Sequence, residues 1–573
     1  MNSMHKRISA AAKRIPADLV IKNARVVDVF NLGILEADVA VCDGYIVGLG
    51  EYQGLRTLDA GGRYVCPGLI DSHVHIETAF VTPREMAKVL LPHGVTTIVA
   101  DPHEICNVSG SKGIDFILED SEGIPLDVMV MLPSCVPAIP SENSGAVMHS
   151  EDLSGYYGHP RVLGLAEVMD FPSVRDTAPD MMAKLGDAES HNKVIDGHGV
   201  GLDEVGVNIY RTANILTDHE STTKQEVKDR IERGMYIPIR EGTIAKNLVE
   251  LLPMVSASNA RRFCFCTDDK HIDDLLAEGS IDYSIRLAIR EGMSPLQAIQ
   301  LGTLNAAECH RISGKGAIAP GYKADFLLVD SLDSFEIHQV YKGGELVAEA
   351  GKVVCHIPPS AGIDADLLST VNAPSIAAAD IQIPMGSGPA NIIGVLPNSL
   401  ITKHLLEDVD TRDGYFVPSG DRLKLVVVER HKNLGNIGLG IAKGFGLGRG
   451  AIATTVSHDS HNIVATGTSD ADILLAINTL KDMGGGVALV MDDEVLATLA
   501  LPIAGIITDK PYQEVAKSLG HIEAALSKMG FGGDFDPILT LSFLALPVIP
   551  ALKLTDAGLF DVTKFEKIGV QNN

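Results

Sequence analysis

Two histidines separated by one residue, His73 and His75, have the types and spacing that most directly allow metal chemistry. They follow an apolar run, residues 64–70, with the length and composition of a short buried strand. Because side chains alternate between the faces of a strand, Asp71 and both imidazoles project to the same side. Imidazoles held side by side can share one metal ion. Solvated histidines at a polar strand end would show the same motif, so other residues must decide between the two interpretations.

Titratable residues follow nearly every strand-like run between residues 67 and 318. The later runs precede, in chain order, Asp101, His103 and Glu104; Glu142; Glu167; His198; His219 and Glu220; Arg240 and Glu241; and Asp268 with Asp269. The runs alternate with helical stretches, and this repeat predicts an α/β fold, a TIM-like (β/α)8 barrel. Functional residues of such barrels lie at the C-terminal ends of the strands, so we expect these side chains to converge.

The segments that flank the barrel predict further domains. Short β-type runs separated by turns occupy residues 17–66 and 319–356, and we expect the two flanks to pair into one small β-sandwich. Residues 357–395 are rich in Pro, Ala and Ser and are interpreted as a linker or wrapping segment. Residues 396–573 mix strand-like runs with a helical stretch near 470–483, which predicts a C-terminal α+β domain.

Composition narrows the range of partners. The chain has 573 residues, with 74 acidic and 47 basic side chains and a formal charge of −27, which disfavours nucleic acid and anionic membranes as partners. The eight cysteines are dispersed without a C-x-x-C pair, so we expect reduced thiols in a cytoplasmic protein. The longest apolar stretch, 538–552, is interrupted by Pro547 and Pro550, and we expect neither a membrane span nor a signal peptide.

The order of the strand-end residues resembles the amidohydrolase superfamily. Its members place H-x-H on the first barrel strand, a bridging Lys or Glu on the fourth, His on the fifth and sixth, and Asp on the eighth. The resemblance therefore implies a ligand set of His73, His75, Glu167, His198, His219 and Asp268. Because a Glu stands on the fourth strand, its carboxylate can bridge two ions without modification. The resemblance implies two divalent ions, Mn²⁺ or Fe²⁺, with Zn²⁺ as the alternative.

A narrower resemblance, to the bacterial adenine deaminase family, covers nearly the whole chain. It is carried by the segments 101–110, 196–198, 218–220, 240–242, 267–269, 458–462 and 501–505. Two segments depart from the family: Gly199-Val200-Gly201 replaces Ala-Pro-Gly, and Thr78-Ala79-Phe80 replaces a Ser-rich run. Both departures lie near the expected pocket and bear on fine specificity, and they leave the metal ligands intact.

The resemblance implies hydrolytic deamination of adenine to hypoxanthine and ammonia. Metal ions would lower the pKa of a water so that it attacks C6, and Asp268 would take its proton. Related deaminases often carry a Glu three residues after the fifth-strand His, where this chain has Gly201. The donor of a proton to the ring is therefore open, and Glu104, Glu220 and Glu241 are the candidates.

The remaining polar residues have two interpretations each. Arg240, Glu142 and Glu241 could bind the purine edge by hydrogen bonds, or could form structural salt bridges around the barrel rim. His458 and His461 could form another metal site, although we expect them to brace a loop or the pocket. The cysteines at 264 and 266 are expected to pack inside the barrel as small apolar residues. The H-x-E with P-C-x-x-C signature of other zinc deaminases is absent from the sequence.

Two other functions compete with this interpretation. A cyclic-amide hydrolase of the dihydroorotase or hydantoinase kind usually carries a carbamylated Lys on the fourth strand, and Glu167 argues against it. A non-catalytic scaffold of the same fold typically loses metal ligands, whereas all six positions are filled here. We expect a small purine base as the substrate, and a homo-oligomer in which a dimer is favoured.

Overall fold

A barrel of parallel strands occupies the middle of the chain in the computed structural model, which describes residues 3–360 and 362–572. Five consecutive parallel strands form one curved sheet: Leu69–Val74, Val95–Ala100, Asp127–Leu132, Val162–Val168 and Val194–Gly197. A second parallel pair, Ile237–Arg240 and Phe263–Cys266, supplies the seventh and eighth positions. Apart from a few partly exposed residues near their starts, these strands are buried, as β-branched and aliphatic runs covered by helices must be. The predicted (β/α)8 class is confirmed.

Backbone hydrogen bonds close the barrel on both sides of this pair. At the sixth position, residues 215–217 make single bridges: the Leu216 N–H donates to Ile195 O and the Tyr236 N–H donates to Leu216 O, each at 2.9 Å. On the other side, the Asp268 N–H donates to His73 O at 3.0 Å. The first and eighth strands are therefore neighbours, and their metal-binding candidates start out adjacent.

The apolar run at 64–70 is divided between two domains. Tyr64–Pro67 pairs in the flanking sheet, and Leu69–Val74 begins the barrel. Pro67 cannot donate a backbone hydrogen bond, which ends the first strand there. Gly68 follows because a Cβ at this position would overlap the side chain of Thr96. His73 thus lies within the barrel strand, and His75 just past its end.

Helices alternate with the barrel strands and cover them. Threonines and prolines mark several starts; Thr223 and Glu226, for example, cap the helix Lys224–Glu232 reciprocally. The helices of the barrel section are Pro83–Leu90, His103–Ser109, Ser111–Asp120, Ser150–Leu153, Phe171–Arg175, Pro179–Ser190, Glu204–Thr212, Lys224–Glu232, Leu248–Leu251, Ile272–Ala277, Ile281–Arg290, Pro295–Leu301 and Leu304–Cys309.

Both flanks of the barrel join in a β-sandwich, as predicted. In its larger sheet the strand order is Lys352–Val353, Glu345–Glu349, Ile337–Lys342, Phe326–Val329, Tyr64–Pro67, Arg25–Asp28 and Gly33–Glu36. The smaller sheet contains Tyr45–Leu49, Val39–Cys42, Ala17–Lys22 and Gly54–Asp59, with the helix Ser3–Ala11 beside it. The two flanks meet where Phe326–Val329 runs antiparallel to Tyr64–Pro67.

An eight-stranded sheet forms the centre of the C-terminal domain. Its order is Lys403–Glu407, Ala390–Gly394, Ile437–Lys443, Arg422–Val428, Ile463–Gly467, Ala451–Thr454, Gly486–Met491 and Glu494–Ala500. The segment interpreted as a linker, 357–395, contributes one strand to this sheet, Ala390–Gly394, and all five residues of that strand are buried. The smaller strands are Thr411–Arg412, Tyr415–Phe416, Leu552–Thr555, Gly558–Asp561 and Glu566–Lys567, and the helices are Asp470–Met483, Tyr512–Lys528 and Pro537–Phe543.

The C-terminal domain packs over the barrel mouth through polar contacts. The Asn143 side chain donates to Asp556 at 2.6 Å, and His271 of the eighth βα-loop lies 3.3 Å from the Asp536 carboxylate. Asp536 also caps the helix Pro537–Phe543, since it accepts the Leu539 N–H at 2.7 Å. Within the described ranges no helix is long and apolar enough to cross a membrane.

We expect the His271–Asp536 pair to make the stability of the protein fall at alkaline pH. Burial by itself lowers the pKa of His271, but Asp536 raises it to about 9, from 6.5 in the unfolded chain. Its contribution is therefore complete below pH 6.5 and is lost as the pH rises through about 9. His271→Gln should lower the free energy of unfolding by roughly 2 kcal/mol at pH 6 and by little at pH 10. The loss should appear as a lower apparent Tm in circular dichroism at pH 6.

His149→Gln is the matched control, because the His149–Asp180 pair is 3.4 Å apart with side chains 55% and 40% exposed. That variant should keep the wild-type Tm at both pH values. An equal Tm loss for His271→Gln at pH 6 and pH 10 would contradict the ionic contribution of His271.

Candidate active site

Three of the candidate ligands meet where the first and eighth strands adjoin. The Nε2 atoms of His73 and His75 are 3.1 Å apart. The Asp268 Oδ1 atom lies 3.1 Å from His75 Nε2 and 3.4 Å from His73 Nε2. Asp268 has φ 58°, a left-handed conformation that Asp adopts more readily than most residues. One atom from each of the three side chains therefore faces a common point.

Glu167 lies between this group and the histidines of the fifth and sixth strands. Its Oε1 is 3.5 Å from His75 Nε2. Its Oε2 accepts a hydrogen bond from His198 Nδ1 at 2.7 Å and is 3.0 Å from His219 Nε2. The rings of His219 and His73 stack with centroids 4.1 Å apart. This carboxylate is therefore positioned as a group that bridges two ions must be.

The side chains fit two divalent ions by burial and by charge. The six candidate ligands are only 2–7% exposed, and buried His198 Nε2 has no hydrogen-bond partner among the described residues. Six carboxylates line the pocket, whereas Arg240 is the single Lys or Arg that does so in the described ranges. Such an excess of buried negative charge requires cations, and imidazole with carboxylate suits divalent first-row metals.

Arg240 compensates part of this charge. Its Nη1 donates to Asp268 Oδ2 at 2.8 Å, and its guanidinium also binds both oxygens of Glu220. Burial raises the pKa of the Asp268 carboxyl, but Arg240 and the neighbouring imidazoles outweigh burial and hold it well below its usual range. His198 and His219 lower the pKa of Glu167 in the same way. Both carboxylates are thus kept in the ionised form that metal ligands need.

His103 joins the site although it was outside the predicted ligand set. Its Nδ1 is 3.2 Å from Asp101 Oδ2 and 3.6 Å from Glu167 Oε1, so His75, Asp101, His103 and Glu167 form one buried group. The signal was present in the sequence, because Asp101-Pro102-His103-Glu104 follows the second strand directly. The strand-end rule locates these residues but does not tell which of them face the metal candidates.

Glu104 connects the barrel to the C-terminal domain. Its Oε1 and Oε2 make short hydrogen bonds to His458 Nδ1 and His461 Nε2. Burial raises the pKa of Glu104, but the nearby imidazoles lower it well below its usual range. Asp459, between the two histidines, lies 3.7 Å from His103 Nε2. Since both oxygens of Glu104 already have partners, we assign this cluster to hydrogen bonding rather than to another metal.

Two residues expected to bind substrate lie outside the pocket. Glu142 accepts the Ile139 N–H at 3.4 Å, and Glu241 accepts the Leu248 N–H at 3.2 Å. Neither is among the residues that line this cavity, and their substrate-binding roles stay predictions. Their position has a local reason: each carboxylate caps the backbone of its own loop. Arg240 and Glu220 do line the pocket and bind each other.

Apolar residues of the C-terminal domain form the roof of the pocket. Leu400, Phe543 and Leu546 line the cavity opposite the strand ends. They pack in one hydrophobic cluster with Val200, from the departing segment Gly199-Val200-Gly201, against it. Under the barrel mouth the cysteines of the eighth strand, 264 and 266, are fully buried thiols, as expected. The floor of the pocket is thus ionic and its roof apolar.

The barrel and its strand-end ligands define a metal-dependent hydrolase of the amidohydrolase type. Residues 64–347 match the family described as amidohydrolase family, residues 399–566 the adenine deaminase C-terminal domain, and residues 1–62 the urease alpha-subunit N-terminal domain. Adenine deaminases from Geobacillus kaustophilus (strain HTA426) and Bacillus subtilis (strain 168) are 54% and 50% identical to this chain. The first alignment covers 100% of this chain and 99% of the relative, and the second 99% of each. The chain belongs to the adenine deaminase family.

We expect two metal ions per chain, with Glu167 holding both. Glu167→Gln should empty the site, because a neutral amide bridges two cations poorly, and elemental analysis of the purified protein should show both ions lost. Glu142→Gln is the matched control, since Glu142 is an equally buried carboxylate outside the cavity. It should keep two ions. A fully active protein with one ion, and no gain on adding metal, would contradict the binuclear site.

Proposed function

We propose that this chain catalyses the hydrolytic deamination of adenine to hypoxanthine and ammonia. The observation that carries the proposal is Glu167, which lies between two pairs of histidines in a buried pocket. Relatives named adenine deaminase match the chain over its full length, which supports adenine as the substrate. The site is built for hydrolysis because its ligands are ionised carboxylates and imidazoles that can hold divalent ions.

Asp268 and Arg240 have different roles in the activation of water. Divalent ions held by His73, His75, Glu167, His198, His219 and Asp268 would lower the pKa of a water molecule so that it is a nucleophile at neutral pH. Asp268 takes the proton of the attacking water, and its hydrogen bond from Arg240 at 2.8 Å fixes the carboxylate for that step. Arg240 also fixes Glu220, whose two oxygens both accept from it. The buried walls exclude bulk water and strengthen these interactions.

Three finer points belong to the same proposal. The resemblance to the adenine deaminase family implies Mn²⁺ or Fe²⁺ in preference to Zn²⁺, and imidazole and carboxylate ligands suit divalent first-row metals in general. The protein works in the cytoplasm, which the eight free thiols support. It acts as a homo-oligomer, with a dimer as the favoured form.

Two other functions are less well supported. A cyclic-amide hydrolase of the dihydroorotase kind would need a carbamylated Lys where this chain has Glu167. A non-catalytic scaffold would not require the three buried ligand groups formed by His73, His75, Glu167, His198, His219, Glu220 and Asp268. Neither alternative explains the full-length similarity to proteins named adenine deaminase.

Ammonia release by the metal-loaded protein should separate these functions. We expect turnover of adenine, slow turnover of adenosine, and no ring opening of dihydroorotate or hydantoin. The enzyme stripped of metal by a chelator should be inactive and should recover when Mn²⁺ is added back. Equal rates on adenine and adenosine would refute the free-base preference, and turnover of a cyclic amide alone would refute the proposed function.

Asp268→Asn should abolish turnover more completely than it removes metal. Asn keeps the shape and one oxygen but cannot accept a proton at neutral pH, so kcat should fall about 10²–10⁴-fold. Metal content, measured on the same preparation, should stay near two ions. Asp176→Asn, whose side chain is 62% exposed, is the matched control and should behave as wild type. Near-normal turnover by metal-loaded Asp268→Asn would show that another group takes the proton.

A further inference from the structure

One nitrogen in the pocket has no function in the mechanism described so far. His458, in the loop 457–462 of the C-terminal domain, is 2% exposed and lines the cavity beside the metal candidates. Its Nδ1 binds Glu104 Oε1. Its Nε2 is buried and has no hydrogen-bond partner in the part of the chain that the structure describes. A buried polar atom without a partner is costly unless a ligand satisfies it.

The imidazole is held rigidly in this orientation. The ring of Phe543 stacks on it with centroids 4.4 Å apart and planes at 15°. The backbone N–H of His458 donates to Ser542 Oγ at 3.0 Å. Both contacting residues lie at the end of the helix Pro537–Phe543, and Phe543 is also part of the roof of the pocket. Phe543 fixes one face of the ring, Glu104 fixes Nδ1 and Ser542 fixes the backbone. The side chain is therefore preorganised to present Nε2 to the cavity.

The hydrogen bonds of the neighbouring His461 show which histidine nitrogens carry the protons that are donated to Glu104. The Ser457 N–H donates to His461 Nδ1 at 3.1 Å, so that nitrogen is an acceptor and carries no proton. His461 must then hold its proton on Nε2 and donate it to Glu104 Oε2. The other oxygen of the ionised Glu104 accepts from His458 Nδ1–H. His458 therefore has a proton on Nδ1, and a second proton would make Nε2 a donor.

The charges around His458 favour that second proton. Burial lowers the pKa of His458, but Glu104 of the barrel, Asp269 after the eighth strand and Asp459 of its own loop together raise it to about 9. The other titratable neighbours are His103 across Asp459 and His461 across Glu104. Burial lowers the pKa of His461, which keeps that imidazole neutral. At neutral pH His458 is thus an imidazolium with an Nε2–H that lacks a protein acceptor.

We propose that His458 is a catalytic residue that donates its Nε2 proton to the purine ring nitrogen next to C6. This inference rests on the proposed function. When the water oxygen bonds to C6, the π electron pair of the double bond between C6 and the ring nitrogen moves to that nitrogen, which takes the proton from His458. Asp268 takes a proton from the water in the same step. Asp268 then protonates the amino group, the bond from C6 to that group breaks, and ammonia leaves. The hydroxyl proton, released as the carbonyl forms, returns to His458.

The carboxylates considered from the sequence serve this role less well. Both oxygens of Glu104 and both of Glu220 already accept hydrogen bonds. Glu241 accepts from the Leu248 N–H and is outside the cavity. Gly201 stands where related deaminases often carry a Glu, and no carboxylate of the fifth-strand loop is among the described residues that line the pocket. His458 supplies from the C-terminal domain the proton that this loop lacks.

Two substitutions separate proton donation from a bracing role. In His458→Asn the amide lies near the position of Nδ1 and can keep the Glu104 contact, but nothing reaches the substrate. In His458→Gln the longer side chain places an amide in the pocket, which can donate a hydrogen bond but not a proton. We expect kcat on adenine to fall about 10²–10⁴-fold in His458→Asn and somewhat less in His458→Gln, with two metal ions retained in both.

The pH profile gives a second measurement. In the wild type kcat/KM should fall as the pH rises through about 9, where His458 loses its proton. This limb should vanish in His458→Asn. It should move to lower pH in Glu104→Gln, a variant of similar shape that removes the carboxylate charge beside His458. His521→Asn, on the exposed face of the helix Tyr512–Lys528, is the matched control and should keep the wild-type profile.

The outcomes distinguish this inference from the proposed function. A wild type that does not deaminate adenine overturns both. An active wild type with near-normal kcat in His458→Asn shows that His458 only braces Glu104, and overturns the proton donation alone. If His458→Asn fails to fold, Glu104→Gln decides: an alkaline limb that stays in place overturns the proposal, and a limb at lower pH supports it.

Discussion

The structure of the site depends on burying more negative than positive charge. Six carboxylates line one buried pocket, and unpaired ions inside a protein are too costly to persist. Four of them are compensated in different ways: Arg240 binds Asp268 and Glu220, imidazoles surround Glu167, and two histidines of another domain bind Glu104. Divalent ions would compensate the negative charge that these groups leave. The fold can therefore be understood as the scaffold that brings these compensating groups to one place.

The C-terminal domain completes the site, and two buried basic side chains connect the loops with which it does so. Among the described residues Arg430 makes no hydrogen bond to a carboxylate; it donates to backbone carbonyls, including those of His461 and Ala504. Lys553 donates to the carbonyls of Leu400 and Phe543 at 2.8 and 2.7 Å. Burial lowers the pKa of Arg430 to about 9 and that of Lys553 to about 7. Such costly groups connect the very loops that supply the histidines and the roof.

The sequence predicts the barrel, and the convergence of the six candidate ligands, because both depend on local signals. Buried strands appear as apolar runs, and the strand-end rule converts the next polar residue into a position in space. It cannot predict that Glu241 caps its own loop, because that depends on the path of the chain after the strand. The contact between Glu104 and His458 spans 354 residues, and no periodicity encodes how two domains dock. The strand-end rule therefore offers only barrel residues as candidate proton donors.

The contrast between an ionic floor and an apolar roof limits what the pocket can accept. For a purine that presents C6 to the ligands at the strand ends, we expect the far side, including N9, to face Leu400, Phe543 and Leu546, which also line the cavity. A flat apolar edge is suited to that surface, whereas the hydroxyls of a ribose on N9 would lose their hydrogen bonds to water without gaining others. Val200 packs against the same cluster, so the family departure at 199–201 touches the roof and not the ligands. The apolar residues of the C-terminal domain thus bear on specificity, whereas the chemistry uses the strand-end residues of the barrel together with His458.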